Sequence, residues 1–280
     1  MPNQSPNQEV LFVKNENIPF KIGHVLIQVP HLDTAIRQYR EMGFQVVPGG
    51  VPGKTHNALI YLKDGSFLEL FSTNHGIVIN ILLRFMVKII GLKNPSYSSR
   101  LARYLPGQEG LKDYALDSVP GAQYQENIDK LLKNGLKLSK PRPKSRTDHH
   151  GIKLNWTLCC PESIRLPFLM SEYHPSPIIE MQDTSHANGA DAIQEIMIST
   201  SEWNKAYKEY TLLLGIEPSV TLGKNGRSCL FPVQKTSINL VENHKDGIHH
   251  IILSCNHQSK NKKQSAAITP FILFTKNSEH

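Results

Sequence analysis

The stretch Gly23-His24-Val25-Leu26-Ile27-Gln28-Val29, with Leu32-Asp33-Thr34-Ala35-Ile36-Arg37-Gln38-Tyr39-Arg40-Glu41-Met42-Gly43-Phe44 after it, decides the fold. His24–Val29 reads as a strand, and Pro30 ends it. Asp33 reads as an N-cap, Ala35–Met42 as a helix, and Gly43 as the residue that turns the chain out of it. The same pattern returns twice. Asp113-Tyr114-Ala115-Leu116-Asp117-Ser118 leads to a helix ending at Gly135, and Glu195-Ile196-Met197-Ile198-Ser199-Thr200 to one ending at Gly215. From His24 to Gly43, Asp113 to Gly135 and Glu195 to Gly215 the chain advances 19, 22 and 20 positions. Such self-similarity marks a duplicated supersecondary unit, with a period too long and irregular for a solenoid.

Working outward, the first copy continues through Phe44–Val47, a Gly/Pro turn, Asn57–Leu62, an Asp64-Gly65 hairpin turn and Phe67–Phe71. The unit is therefore βαβββ. The second unit starts near Gly110, has its helix over about 123–134, and reaches its last strands at Ile152–Leu158 and Leu166–Glu172. Pro141 and Pro143 between them read as a long basic turn. Residues 173–190 are rich in Pro, Ser, Asp and Gly and read as a linker. The expected organisation is an arm over 1–19, paired units over 20–175 with a helical insertion at 76–105, a linker at 176–190, a third unit over 191–256 and a polar tail over 257–280. The fold class is α+β, three βαβββ units in all.

The chain has 280 residues, 39% of them hydrophobic, and a formal charge of +7 spread over many segments. That supports a packed core and shows no motif for nucleic acid. The densest basic run, Lys260-Asn261-Lys262-Lys263, sits in polar surroundings and reads as solvated. Four cysteines without C-x-x-C spacing, and a polar start from Met1 to Glu9, lead to the expectation of a cytoplasmic protein.

Gly76–Leu92 is nearly as apolar as a membrane span but shorter than the roughly 20 residues a span needs. Its polar residues Asn80, Arg84 and Lys88 recur every fourth position, one narrow stripe on a helix. Three readings stay open: a buried helix, a lid over an apolar ligand pocket, and peripheral contact with a membrane through 77–92.

The segments 24–30, 53–61 and 65–70, with weaker support from 166–169 and 186–190, resemble the glyoxalase-like domain family of the vicinal oxygen chelate superfamily. The resemblance implies that the first two units pair into a cup-shaped mixed sheet. It implies a divalent metal (Mn, Fe, Ni or Zn) inside, on the first and last strands of each unit. Carried over, the ligands are His24 and Glu69 in unit one and Glu172 in unit two. Asp113 falls where relatives place a second His. In unit three the positions fall near Glu195 and Asn239 or Leu240, a site decayed or never formed.

The residues themselves bear on this. Glu69 lies between Leu68 and Leu70, and an unpaired buried carboxylate is costly. It needs a metal, a structural cation or a ligand's donor, and all three remain open. Glu172 is the candidate catalytic base. His56, Asn57, Phe67, Phe71 and Trp156 are the candidate substrate-binding residues, each weighed against plain packing or turn stabilisation. Two functions compete: a metal-dependent isomerase or lyase acting on a small molecule with adjacent oxygens, and a metal-free binding or sequestration protein. An extradiol-type dioxygenase fits less well because Asp113 replaces a His. The odd third unit leaves an open sheet face that must be buried against the first domain, the C-terminal Ile268–Phe274 run or a second chain, and of these a homodimer is the expected cover.

Overall fold

The computed structural model describes residues 18–50, 57–73, 77–105, 108–255 and 271–276. The arm up to residue 17, His56 and the basic run at 260–263 lie outside the described residues.

The first unit is β1 (Phe20–Gln28), α1 (Leu32–Glu41), β2 (Val47–Pro48), β3 (Asn57–Tyr61) and β4 (Phe67–Phe71). The second is β5 (Gly110–Ser118), α4 (Tyr124–Lys133), β6 (Arg142–Thr147), β7 (Lys153–Cys159) and β8 (Phe168–Met170). Between them stand α2 (Ile77–Lys93) and α3 (Pro95–Ala102). Together the units form one eight-stranded sheet, β2-β3-β4-β1-β5-β8-β7-β6. β1 and β5 meet antiparallel at its centre, and each is flanked by its own unit's last strand in parallel.

The pleat sorts the side chains of this sheet into two faces. Val25, Ile27, Leu68, Leu70, Tyr114 and Leu116 point into the main apolar core, which also takes Ala35 and Tyr39 of α1 and Ile128 and Leu131 of α4. The opposite face carries His24, Leu26, Phe67, Glu69, Asp113 and Ala115. It is the inside of the cup. Gly43, Gly135 and Gly215 all have positive φ, so the three repeated glycines end their helices in the left-handed region that side chains avoid. A Cβ on Gly43 would also meet the Asn188 backbone nitrogen at 2.9 Å. Asp33 falls inside the first turn of α1, where its charge meets the helix dipole, while His31 is the N-cap residue.

The second sheet corrects the expected third unit. Its strands are β9 (Ala190–Thr200), β10 (Thr221–Gly223), β11 (Gly226–Val233), β12 (Thr236–Glu242), β13 (Gly247–Cys255) and β14 (Ile272–Lys276), with α5 (Trp203–Leu214) after β9. The order is β10-β11-β12-β9-β13-β14. β13 runs antiparallel to β9 and β14 parallel to β13, as β5 and β8 do beside β1. So β13 and β14 stand where the first and last strands of a fourth unit would, and residues 256–270 between them lie outside the described residues. The expected polar tail contains a strand whose Ile272 is buried. Beside β9 the sheet continues within this chain through β13 and β14, and β14 begins inside the Ile268–Phe274 run that is one of the expected covers.

The 173–190 segment is tied down: His186 Nδ1 accepts from the Gln45 backbone N–H (2.9 Å), and its other nitrogen meets the Tyr61 carbonyl (2.8 Å). Lys63 pairs with Asp191 at 2.8 Å, and the Tyr114 and Tyr210 hydroxyls meet at 2.9 Å. These contacts lock the two sheets together.

Candidate functional site

The cup floor forms where β1 and β4 run parallel. The register sets Glu69 beside Leu26, two residues beyond His24, with both side chains on the same face. His24 Nε2 stands 3.7 Å from Glu69 Oε2, close but too long for a hydrogen bond. His24 is 3% exposed and stacks on Phe67 with ring centroids 4.5 Å apart, and Phe168 meets it edge-on at 5.4 Å. Its Nδ1 is buried without a partner. Burial, with a smaller push from the Arg146 charge, lowers its pKa to about 3, so the ring is neutral. Burial raises the Glu69 carboxyl above its usual range, opposed by the Asn57 hydrogen bond and by Arg146. That bond, Asn57 Nδ2 to Glu69 Oε1, is 2.7 Å long.

The walls are aromatic and basic. Tyr61 lies 5.6 Å from Phe67, and Trp156 meets Tyr173 edge-on at 5.1 Å. β6 turns Arg142, Lys144 and Arg146 to the cup and Pro143, Ser145 and Thr147 outward. Arg146 donates to the Gly49 carbonyl (3.1 Å) and sits over the Tyr173 ring at 5.8 Å, and its Nε is buried without a partner. Arg142 and Lys144 both lie over Tyr97 of α3, and Lys144 also donates to its hydroxyl at 2.7 Å. α3 is thus the roof. Asn94 caps its first turn by accepting from the Tyr97 N–H. Among the described residues of the insertion, the side chains reaching over the cup, Tyr97 and Arg100, belong to α3, while the side chains of 77–84, half of the helix expected as a lid, lie outside the described residues.

Two expected ligands are engaged elsewhere. Asp113 is the buried partner of Arg100, which reaches down from α3 to both carboxylate oxygens. Tyr104 donates to Asp113 at 2.8 Å, and the second arm of Arg100 donates to the Leu166 carbonyl at 2.6 Å. Glu172 lies past the end of β8, exposed, and accepts from the Gly121 N–H at 3.2 Å. It stands close enough to Asp117 to help raise that carboxyl, after burial, to about 7. Of the expected substrate-binding residues, Asn57, Phe67 and Trp156 face the cup. Phe71 packs on Tyr104 at 5.4 Å toward its far end.

Internal symmetry shows what unit two offers. Ala115 is directly opposite His24, and Met170 lies beside Asp117, two residues beyond Ala115, as Glu69 lies two beyond His24. Unit two therefore presents a methyl group and a thioether where unit one presents imidazole and carboxylate. Among the described residues no three His, Cys, Asp or Glu side chains converge as metal ligands. Of the cations among the described residues, Arg146 is the one whose charge bears on both His24 and Glu69. Two donors beside a positive charge, among the described residues, fall short of the three or more protein ligands a divalent metal takes. In the second sheet the matching positions hold Glu195 and Asn239, hydrogen-bonded to each other at 3.0 Å. Two open clefts lie elsewhere, about 270 Å³ beside Lys112 and Ile248 and about 920 Å³ beside Lys224 and His244, and neither gathers this chemistry.

The sequence reading missed Arg146, Tyr61, Tyr173 and Arg100. A signal for the first existed: Arg142, Lys144 and Arg146 alternate with period two, which puts them on one face of a strand.

The model of the glyoxalase-like domain matches residues 22–214. The chain belongs to this family, and its fold is that of the vicinal oxygen chelate superfamily. No curated protein matches the sequence. Among solved structures, a hypothetical protein from Staphylococcus aureus is similar at 15% identity and TM-score 0.69, over 92% of this chain and 99% of that one. A xylose isomerase-like TIM barrel/4-hydroxyphenylpyruvate dioxygenase fusion protein is similar at 10% identity and TM-score 0.53, over 90% of this chain and 39% of that one. An extradiol ring-cleaving dioxygenase from B. fuscum is similar at 12% identity and TM-score 0.50, over 86% of this chain and 59% of that one. At these identities the likeness is one of fold.

Proposed function

We propose that the first cup binds a small anionic molecule with a planar or aromatic body, without a metal ion. The observation that carries this reading is the Arg146 guanidinium beside His24 and Glu69, together with Ala115 and Met170 at the positions a metal needs. Arg142 and Lys144 continue the positive side of the cup, while Phe67, Phe168, Tyr61 and Trp156 supply flat apolar walls. A bound carboxylate would satisfy the free Arg146 Nε, and charge-assisted bonds of this kind are worth about 1.5–3 kcal/mol each. Glu69, held by Asn57 and protonated more readily than a solvated carboxylate, is the group able to accept or give a proton if the ligand is turned over. This favours the metal-free binding class over a metal-dependent isomerase or lyase.

The test is a thermal-shift panel of aromatic and aliphatic carboxylates with EDTA present throughout. Binding should survive the chelator and fall roughly 10- to 100-fold in Arg146→Met, a loss of one charge-assisted contact. Binding that vanishes with EDTA and returns with Mn²⁺ would overturn the proposal.

A further inference from the structure

We infer that the outer face of α2 docks on an anionic lipid surface. α2 spans Ile77–Lys93, and side chains are described from Phe85 onward. Phe85 is 61% exposed, Met86 49%, Ile89 50% and Leu92 85%. At about 100° per residue these four fall within an arc of roughly 120°. The opposite side of the helix packs on α3, where Ser98 Oγ donates to the Val87 carbonyl at 2.7 Å. Ser98 Oγ also lies 3.0 Å from where a Gly91 Cβ would stand. α3 therefore fixes which face of α2 looks outward.

Four large apolar side chains side by side on a helix surface form the kind of patch that marks an interaction site. Charge selects the occupant. Exposed Lys88 borders the apolar arc on one side, and exposed Lys93 falls just inside its other edge, at the last residue of α2. From Leu70 to Gln108 the chain has no Asp or Glu, and its basic residues are Arg84, Lys88, Lys93 and Arg103, besides Arg100, which is buried against Asp113. An apolar stripe with lysines at or near its edges suits a helix lying in the headgroup region, its one ring, thioether and branched chains in the acyl boundary and its ammonium groups among anionic headgroups. No helix among the described residues is long and apolar enough to cross a membrane, so this contact is peripheral.

The experiment is flotation of the full chain with vesicles of phosphatidylcholine alone and of phosphatidylcholine with phosphatidylserine. The chain should float with the second and much less with the first, and added salt should weaken the association. Lys88→Glu/Lys93→Glu should weaken partitioning by at least roughly 25-fold, about fivefold for each lysine lost near the surface. Phe85→Ser/Leu92→Ser should abolish it, and circular dichroism should show both variants folded, since all four side chains are exposed. A chain that stays in solution with phosphatidylserine vesicles overturns the inference. So does a dimer in light scattering that Phe85→Ser/Leu92→Ser dissolves, which would make this face an interface between copies.

Discussion

Replacing Asp113 with Asn tests whether this residue holds the roof or awaits a ligand. The substitution keeps the shape and removes the charge. Arg100 and Asp113 are 2% and 3% exposed, so the guanidinium would be left in the interior with no counter-charge. Asp113 accepts from both Arg100 and the Tyr104 hydroxyl, so one change disturbs a three-membered network. Breaking a buried pair by removing one member costs about 3–5 kcal/mol. For a chain of this size that is a fall in Tm of roughly 6–20 °C. Urea unfolding followed by circular dichroism measures it. The Arg100→Met/Asp113→Leu double variant should recover more than half of the loss, because it removes the stranded charge along with its partner. An Asp113→Asn variant within about 0.5 kcal/mol of the parent would refute the reasoning, since a carboxylate waiting for a ligand loses nothing in its absence.

Gly23→Ala should destabilise by about 2 kcal/mol in the same assay, because the new Cβ would stand 2.2 Å from Asp117 Oδ1 beside a buried strand. Glu172→Gln should leave stability within about 0.5 kcal/mol and ligand binding unchanged, because its side chain is exposed and outside the cup. Asp117 gives a pH signature: its carboxyl titrates near 7 in the fold against 3.8 in an ordinary carboxylate. Below about pH 4 both states are protonated, and above it the native state alone keeps the proton. Stability should therefore decline as pH rises from about 4 to 7, by at most about 4 kcal/mol, and Asp117→Asn should flatten that slope in a pH series of urea midpoints.

The repeated units were legible because they rest on local signals. Period-two strands, helices of about three turns and the glycines at 43, 135 and 215 each follow from neighbours in sequence. His24 and Glu69 were paired through the family resemblance, which places ligands on the first and last strands of one unit, and β1 and β4 do run side by side. Asp113 could not be read correctly. Its partner Arg100 is thirteen residues away on a helix whose return over the cup no local pattern states. β6 was read as a turn because of its prolines, yet β6 is an edge strand, where Pro143 removes no needed ladder bond. That reading hid Arg146, the residue that most changes the chemistry of the cup. The pairing of β13 with β14 was hidden because β13 follows β12 directly, with no insertion to mark the start of a new unit.

The account stands most directly on the donor set of the cup. Isothermal titration of Mn²⁺, Fe²⁺, Ni²⁺ and Zn²⁺ into the chelator-treated full chain, with elemental analysis after dialysis, measures it. The account predicts no stoichiometric metal and identical traces for the parent and a His24→Ala/Glu69→Gln variant. One equivalent of tightly held metal in the parent, lost in that variant, would contradict it.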